Sequence, residues 1–142
     1  MKTNAHAPIR IVDSPSTIPL VARVKAGFPS PASDYVEEPI DLYAYLVKNR
    51  SATFFARIDG DSMEPILSHN DLIVVDRSIT PRNGDVALCY LDGEFTVKTI
   101  EKTPSALLLV PANPAFPRIE VREGSEATVW GVVTASIRRI RR

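Results

Sequence analysis

At 142 residues, with 44% hydrophobic and 24% charged side chains, the chain is long enough to bury one core and carry an arm besides. Seventeen basic side chains balance seventeen acidic ones, which excludes a global electrostatic pull toward nucleic acid or membrane. One cysteine and two histidines exclude an internal disulfide and a His/Cys metal cluster, so no cofactor is expected.

Residues 1–30 come first, with Pro8, Pro15, Pro19 and Pro29 spaced through a segment that has no helical period. They predict an extended N-terminal arm, followed by one β-rich body over residues 31–142. Ile9, Ile11, Val12, Ile18, Leu20, Val21 and Val24 are too many apolar residues for a pure linker, so the arm is expected to pack on the body or on a neighbour. The first 25 residues lack the continuous apolar core of a signal peptide, and no run reaches membrane-spanning length, so a reducing cytoplasm is the default. Thirty Pro-punctuated residues cannot build a helix-turn-helix, and no direct sequence-specific nucleic-acid binding is expected. Ala26-Gly27-Phe28-Pro29-Ser30-Pro31-Ala32, followed by Asp34-Tyr35-Val36, reads by itself as a Gly-Pro linker.

Residues 39–48 are the best helix candidate: Pro39 stands at the start, Asp41 can serve the N-terminus, and Leu42, Tyr43, Leu46 and Val47 form an apolar stripe for a core or dimer contact. From Thr53 onward the pattern is nearly all strand. Candidates are 53–58, 71–76, 85–91, 94–100, 106–110, 118–122 and 128–138, separated by turns at Asp59-Gly60, Arg82-Asn83-Gly84-Asp85, Asp92-Gly93 and Lys102-Thr103-Pro104. Cys89 lies in the apolar run Val86-Ala87-Leu88-Cys89-Tyr90-Leu91 and reads as a small core residue. Arg138, Arg139, Arg141 and Arg142 read as a solvated tail.

The stretch that carries chemistry is Gly60-Asp61-Ser62-Met63-Glu64-Pro65, which puts a small hydroxyl in a turn between two strands. Pro65 suits the first turn of a short helix, and Gly60 allows close backbone approach. Alone, Ser62 would merely cap that turn. In Glu94-Phe95-Thr96-Val97-Lys98-Thr99-Ile100 the alternation sets Phe95, Val97 and Thr99 on one face and Thr96 and Lys98 on the other, and by pattern Lys98 is a solvated lysine.

Together, Gly-Asp-Ser-Met and Glu-Phe-Thr-Val-Lys, with Ser62 and Lys98 36 positions apart, resemble the self-cleaving Ser–Lys peptidase domain of the LexA and UmuD families. UmuD is the nearer likeness. The segment around Ala26 and Gly27 is similar to the UmuD-type cleavage region, and the resemblance runs from about residue 26 to the C-terminus. Arg50-Ser51-Ala52-Thr53-Phe54, Asp85-Val86 after Gly84, and Trp130-Gly131-Val132-Val133 add to it. It implies a mainly β, curved, barrel-like assembly with one short helix and an extended arm.

It also implies Ser62 as nucleophile, Lys98 as general base and the Ala26–Gly27 bond as the one cut. A RecA filament on single-stranded DNA would stimulate cleavage, and the processed homodimer would serve a UmuC-type translesion DNA polymerase in the SOS response. Lysine is a base only when neutral, so its ordinary pKa of about 10.4 must be brought down. Burial between walls near Met63 and near Phe95 and Val97 would do this. The backbone N–H groups of Asp61 and Ser62 are the candidates for holding an oxyanion. A small residue before the cut and a glycine after it let the backbone lie flat in a narrow cleft.

One departure is Ser68-His69-Asn70-Asp71, where UmuD-like chains commonly have Gly-Asp; Asn tolerates positive φ, so the turn is expected to survive. Two other functions share these residues. A phage-repressor-like or signal-peptidase-like serine peptidase would keep Ser62 and Lys98, the latter with a membrane anchor. A non-catalytic interaction module would keep only the fold.

Overall fold

The structure, a computed structural model, describes residues 16–20, 26–27, 38–122 and 124–141. The chain divides into two compact units, Met1–Leu46 and Val47–Arg142. The architecture is mainly β with one short helix, in line with the sequence reading.

In the first unit, β1 (Thr17–Ile18) pairs antiparallel with β2 (Ile40–Asp41). That pairing uses two residues the sequence assigned to a helix, so α1 is confined to Leu42–Leu46. Asp41 still serves the helix start: its Oδ1 accepts the Ala44 N–H at 3.1 Å, while Oδ2 accepts the Ser16 hydroxyl at 3.0 Å. Leu42, Tyr43 and Tyr45 are exposed and no residue of α1 is buried, so its apolar stripe is not core.

The second unit is a seven-stranded antiparallel sheet. Its strands are β3 (Thr53–Arg57), β4 (Leu72–Asp76), β5 (Val86–Leu91), β6 (Glu94–Lys102), β7 (Leu107–Val110), β8 (Ile119–Val121) and β9 (Ala127–Ile137). Their spatial order is β3-β4-β9-β5-β6-β7-β8. Every strand lies within two residues of its expected bounds, because each carries a compact apolar run closed by turn residues. Asp92 (φ 48°) and Gly93 (φ 88°) join β5 to β6 with Leu91 facing Glu94, the two-residue hairpin whose positive φ angles match strand twist. Among the described residues β3 and β8 each pair on one side only, so the sheet does not close into a barrel.

Two bulges in β9 shape the site. The register slips between Val74 and Val75 on β4, and again between Leu88 and Cys89 on β5. At the second slip Leu88 faces Gly131 and Cys89 faces Val129, leaving Trp130 as the extra residue. Bulges re-aim side chains, and Trp130 joins the wall of the cleft described below.

Ile73, Val74 and Val75 are fully buried, as a strand covered on both faces requires. Ile73 and Val75 pack with Ile58, Met63 and Leu67, whereas Ala87, Cys89, Ile100 and Leu109 form a second cluster. Where β9 pairs with β4, the Val75 and Arg77 side chains fill the space over Gly131, and a Cβ there would lie 2.5 Å from Val75 Cγ1 and 3.2 Å from Arg77 Cγ. Gly131→Ala is therefore expected to destabilise the unit by roughly 1–3 kcal/mol, the usual cost of overpacking, read as a lower urea midpoint at unchanged slope.

Candidate active site

Ile58 and Asn70 tie the two ends of a loop together. The Ile58 N–H donates to Asp71 O and the Asn70 N–H to Ile58 O, each at 2.8 Å. Asn70 adopts φ 75°, so the Ser68-His69-Asn70-Asp71 turn holds as expected. Within the loop, Gly60 has φ 99°, yet a Cβ there would meet nothing within 4 Å. Its glycine is required by the left-handed backbone rather than by a close approach.

Residues 62–66 form a turn, not the helix Pro65 suggested. The Glu64 N–H donates to Asp61 O at 3.1 Å and the Leu67 N–H to Met63 O at 2.9 Å. Met63 and Leu67 are thereby sunk into the core while Ser62 stays half-buried at the surface of a cleft.

Lys98 reaches that serine from β6. Its Nζ lies 3.1 Å from Ser62 Oγ, 2.7 Å from Thr96 Oγ1 and 3.1 Å from the Val97 carbonyl oxygen. The solvated lysine of the alternation pattern is in fact only 7% exposed. It shares a strand face with Thr96 and Ile100, and this face is covered. Among the described residues no carboxylate stands within ion-pairing distance of Nζ. Burial therefore lowers the Lys98 pKa, offset in part by Cys89.

A charged Lys98 can donate to all three oxygens, and a neutral one can be held by two of them. The neutral amine has two N–H groups and one lone pair; the Val97 carbonyl and Thr96 Oγ1 can take the two hydrogens, and the lone pair is left for the Ser62 hydroxyl proton. Burial pushes the neighbouring Cys89 thiol up to about 11, with the Lys98 charge acting the other way. Cys89, 2% exposed, is the inert core residue the sequence indicated.

The serine opens onto a cleft of about 440 Å³ whose lining includes Met63, Val97, Phe54, Phe95 and Trp130. The two walls expected near Met63 and near Phe95 and Val97 are both present. Phe54 and Phe95 pack edge-on against Trp130 at 4.9 and 5.8 Å between ring centroids. Arg77 stacks 4.1 Å above the same indole and donates from Nε to the Trp130 carbonyl at 2.9 Å.

Asn113 is the residue that sequence reasoning missed. From the loop between β7 and β8 its Nδ2 donates to Asp61 O at 3.1 Å, and its backbone N–H donates to Ser62 O at 3.0 Å. Both carbonyls, at Asp61 and at Ser62, are thus held. Among the described residues no acceptor takes the N–H of Asp61 or Ser62, which leaves both donors available. The only local signal at Asn113 was an Asn-Pro turn dipeptide. Thr96, too, was missed as a partner of Lys98.

Arg138 also departs from the solvated-tail reading. Its Nε and Nη2 bond Asp71 Oδ1 and Oδ2 at 2.7 and 2.6 Å, and Asp71 is 1% exposed. The bidentate guanidinium holds the Asp71 carboxyl below its ordinary pKa. The pair fixes the end of the serine loop to the end of β9. Ala26 and Gly27 are both exposed and belong to the first unit; Phe28 to Val36 of the expected cleavage region lie outside the described residues. No helix among the described residues is long and apolar enough to cross a membrane.

Comparison with known proteins finds relatives over most of the chain. The Peptidase S24-like family matches residues 19–134. Protein SamA of Salmonella typhimurium is 48% identical over 128 residues, 89% of each chain. Protein ImpA of Escherichia coli is 41% identical over 145 residues, 99% of this chain and 98% of its own. The LexA repressor of Mycobacterium leprae is 36% identical over 131 residues, 92% of this chain but 54% of its own length. With the family matched over most of its length and relatives above the 40% level, the chain belongs to the Peptidase S24-like family, on the UmuD side of it.

Proposed function

We propose that this chain cuts its own Ala26–Gly27 bond with Ser62 as nucleophile and Lys98 as general base. The observation that carries the reading is a buried lysine amine 3.1 Å from a serine hydroxyl, with no carboxylate among the described residues to hold it charged. Ser62 Oγ attacks the Ala26 carbonyl carbon and gives its proton to Lys98 Nζ. The Asp61 and Ser62 N–H groups take the oxyanion. Collapse breaks the C–N bond, and Lys98 returns the proton to the Gly27 amine as it leaves. Water then hydrolyses the Ala26 ester, with Lys98 again accepting a proton.

Because the substrate is the chain's own arm, its effective concentration is high and occupancy of the cleft limits the rate. The likeness to SamA, ImpA and the UmuD type supports the wider role. In it, a RecA filament on single-stranded DNA raises that occupancy in the cytoplasm, and the 27–142 homodimer serves a UmuC-type translesion polymerase in SOS mutagenesis. An intact-mass time course of the purified chain, with and without RecA, an ATP analogue and single-stranded DNA, tests both parts. Accelerated appearance of the 27–142 fragment, blocked in Gly27→Glu by a side chain too large and charged for the cleft, is expected. A chain that stays whole under all conditions would instead favour a non-catalytic module.

A further inference from the structure

We infer that His69 is a positioning residue for the nucleophile turn, holding it through a hydrogen bond that an imidazole protonated on Nδ1 cannot make. The inference rests on the Ser62–Lys98 reading above.

The Gly60 N–H donates to His69 Nδ1 at 3.0 Å, and the same Nδ1 lies 3.3 Å from Asp59 Oδ1. An amide N–H only donates, so the first contact needs the Nδ1 lone pair. A carboxylate only accepts, so the second needs a proton on that nitrogen. The two contacts exclude each other, and they act on adjacent residues of the loop segment that leads from β3 to Ser62.

The place in the loop gives this choice its consequence. Two backbone bonds close the neck, Ile58 N–H to Asp71 O and Asn70 N–H to Ile58 O. The imidazole supplies the next rung, where among the described residues no backbone carbonyl accepts from Gly60. Asn113 grips the far side through the Asp61 and Ser62 carbonyls. When Nδ1 takes a proton it turns from Gly60 to Asp59, and Gly60, with no Cβ to restrict it, lets the Asp61 and Ser62 N–H groups swing away from the oxyanion position. The cavity beside His69 also holds Arg57, Glu64, Asp71, Arg138 and Arg139. Arg57 is engaged with the Asn70 carbonyl and Arg138 with Asp71, and Asp59 is the acidic group within ion-pair distance of the ring.

Two measurements test it. In ¹⁵N-labelled Ser62→Ala protein, which cannot cleave itself, neutral His69 should be the Nε2–H tautomer, and the Gly60 amide proton should shift in step with the His69 ring as pH changes. In cleaving protein, the rate is compared at each pH with that of His69→Asn, whose Oδ1 stands where Nδ1 does and accepts without titrating. This ratio divides out Lys98. It should fall on order of fivefold as the imidazole becomes charged, the weight of about one hydrogen bond, while His69→Ala is slowed by a similar factor at every pH. A ratio independent of pH, or a Gly60 amide indifferent to His69 ionisation, overturns the inference. If wild-type protein does not cleave at all, the Ser62–Lys98 reading falls, and the Gly60 titration still decides the His69 contact.

Discussion

Ser62→Ala and Lys98→Ala are each expected to stop appearance of the 27–142 fragment, with a fall in first-order rate on the order of 10⁴-fold or more, as when one member of a nucleophile–base unit is removed. The two losses should not add, because either change removes the same proton transfer. Neither should unfold the protein. Ser62 is a small half-buried side chain in a turn held by Asn113 and by the Ile58 neck. Lys98 is a buried amine that no counter-charge among the described residues compensates, so Lys98→Met, which keeps the stem and drops the amine, should hold or raise the melting temperature at neutral pH. Wild-type yield of the fragment from either alanine variant would remove the assignment; a melting temperature sharply lowered in Lys98→Met would mean the amine is structural.

The rate should also climb with pH. The Lys98 pKa is lowered by burial, and only the neutral amine accepts the Ser62 proton. Well below that pKa the part of the unassisted rate set by Lys98, as seen in His69→Asn, gains one logarithmic unit per pH unit, and it levels off once the amine is neutral. Stability moves the same way. A lysine whose pKa is lower in the folded than in the unfolded state binds fewer protons when folded, so folding is penalised at pH below the folded value. That penalty is relieved as pH rises from there to the ordinary lysine value of 10.5. The fragment should be quantified from about pH 6 to about pH 10, with circular dichroism marking any alkaline unfolding. A flat profile would take the base role from Lys98. A profile that peaks near the ordinary imidazole range, about 6.5, and then falls would point to a histidine or a contaminating protease.

The sequence by itself determined the strands, the hairpin at Asp92-Gly93, the core placement of Cys89 and the family. These rest on local information: apolar runs of strand length, turn dipeptides, and a serine and a lysine inside short motifs. What it could not determine is what distant segments do to one another. Period-2 alternation placed Lys98 in solvent, and only the packing of the serine loop over β6 shows it buried. The helix expected from Pro39 onward lost its first residues to a pairing with Thr17 and Ile18. The last strand, β9, runs between β4 and β5, a position that strand order along the chain does not reveal. That insertion brings Arg138 onto Asp71, 67 residues earlier, and the bulge on β9 puts Trp130 into the cleft. Asn113 and His69 looked like ordinary turn residues because a side chain's hydrogen-bond partner is set by the fold, and the fold alone brings them to the backbone around Ser62.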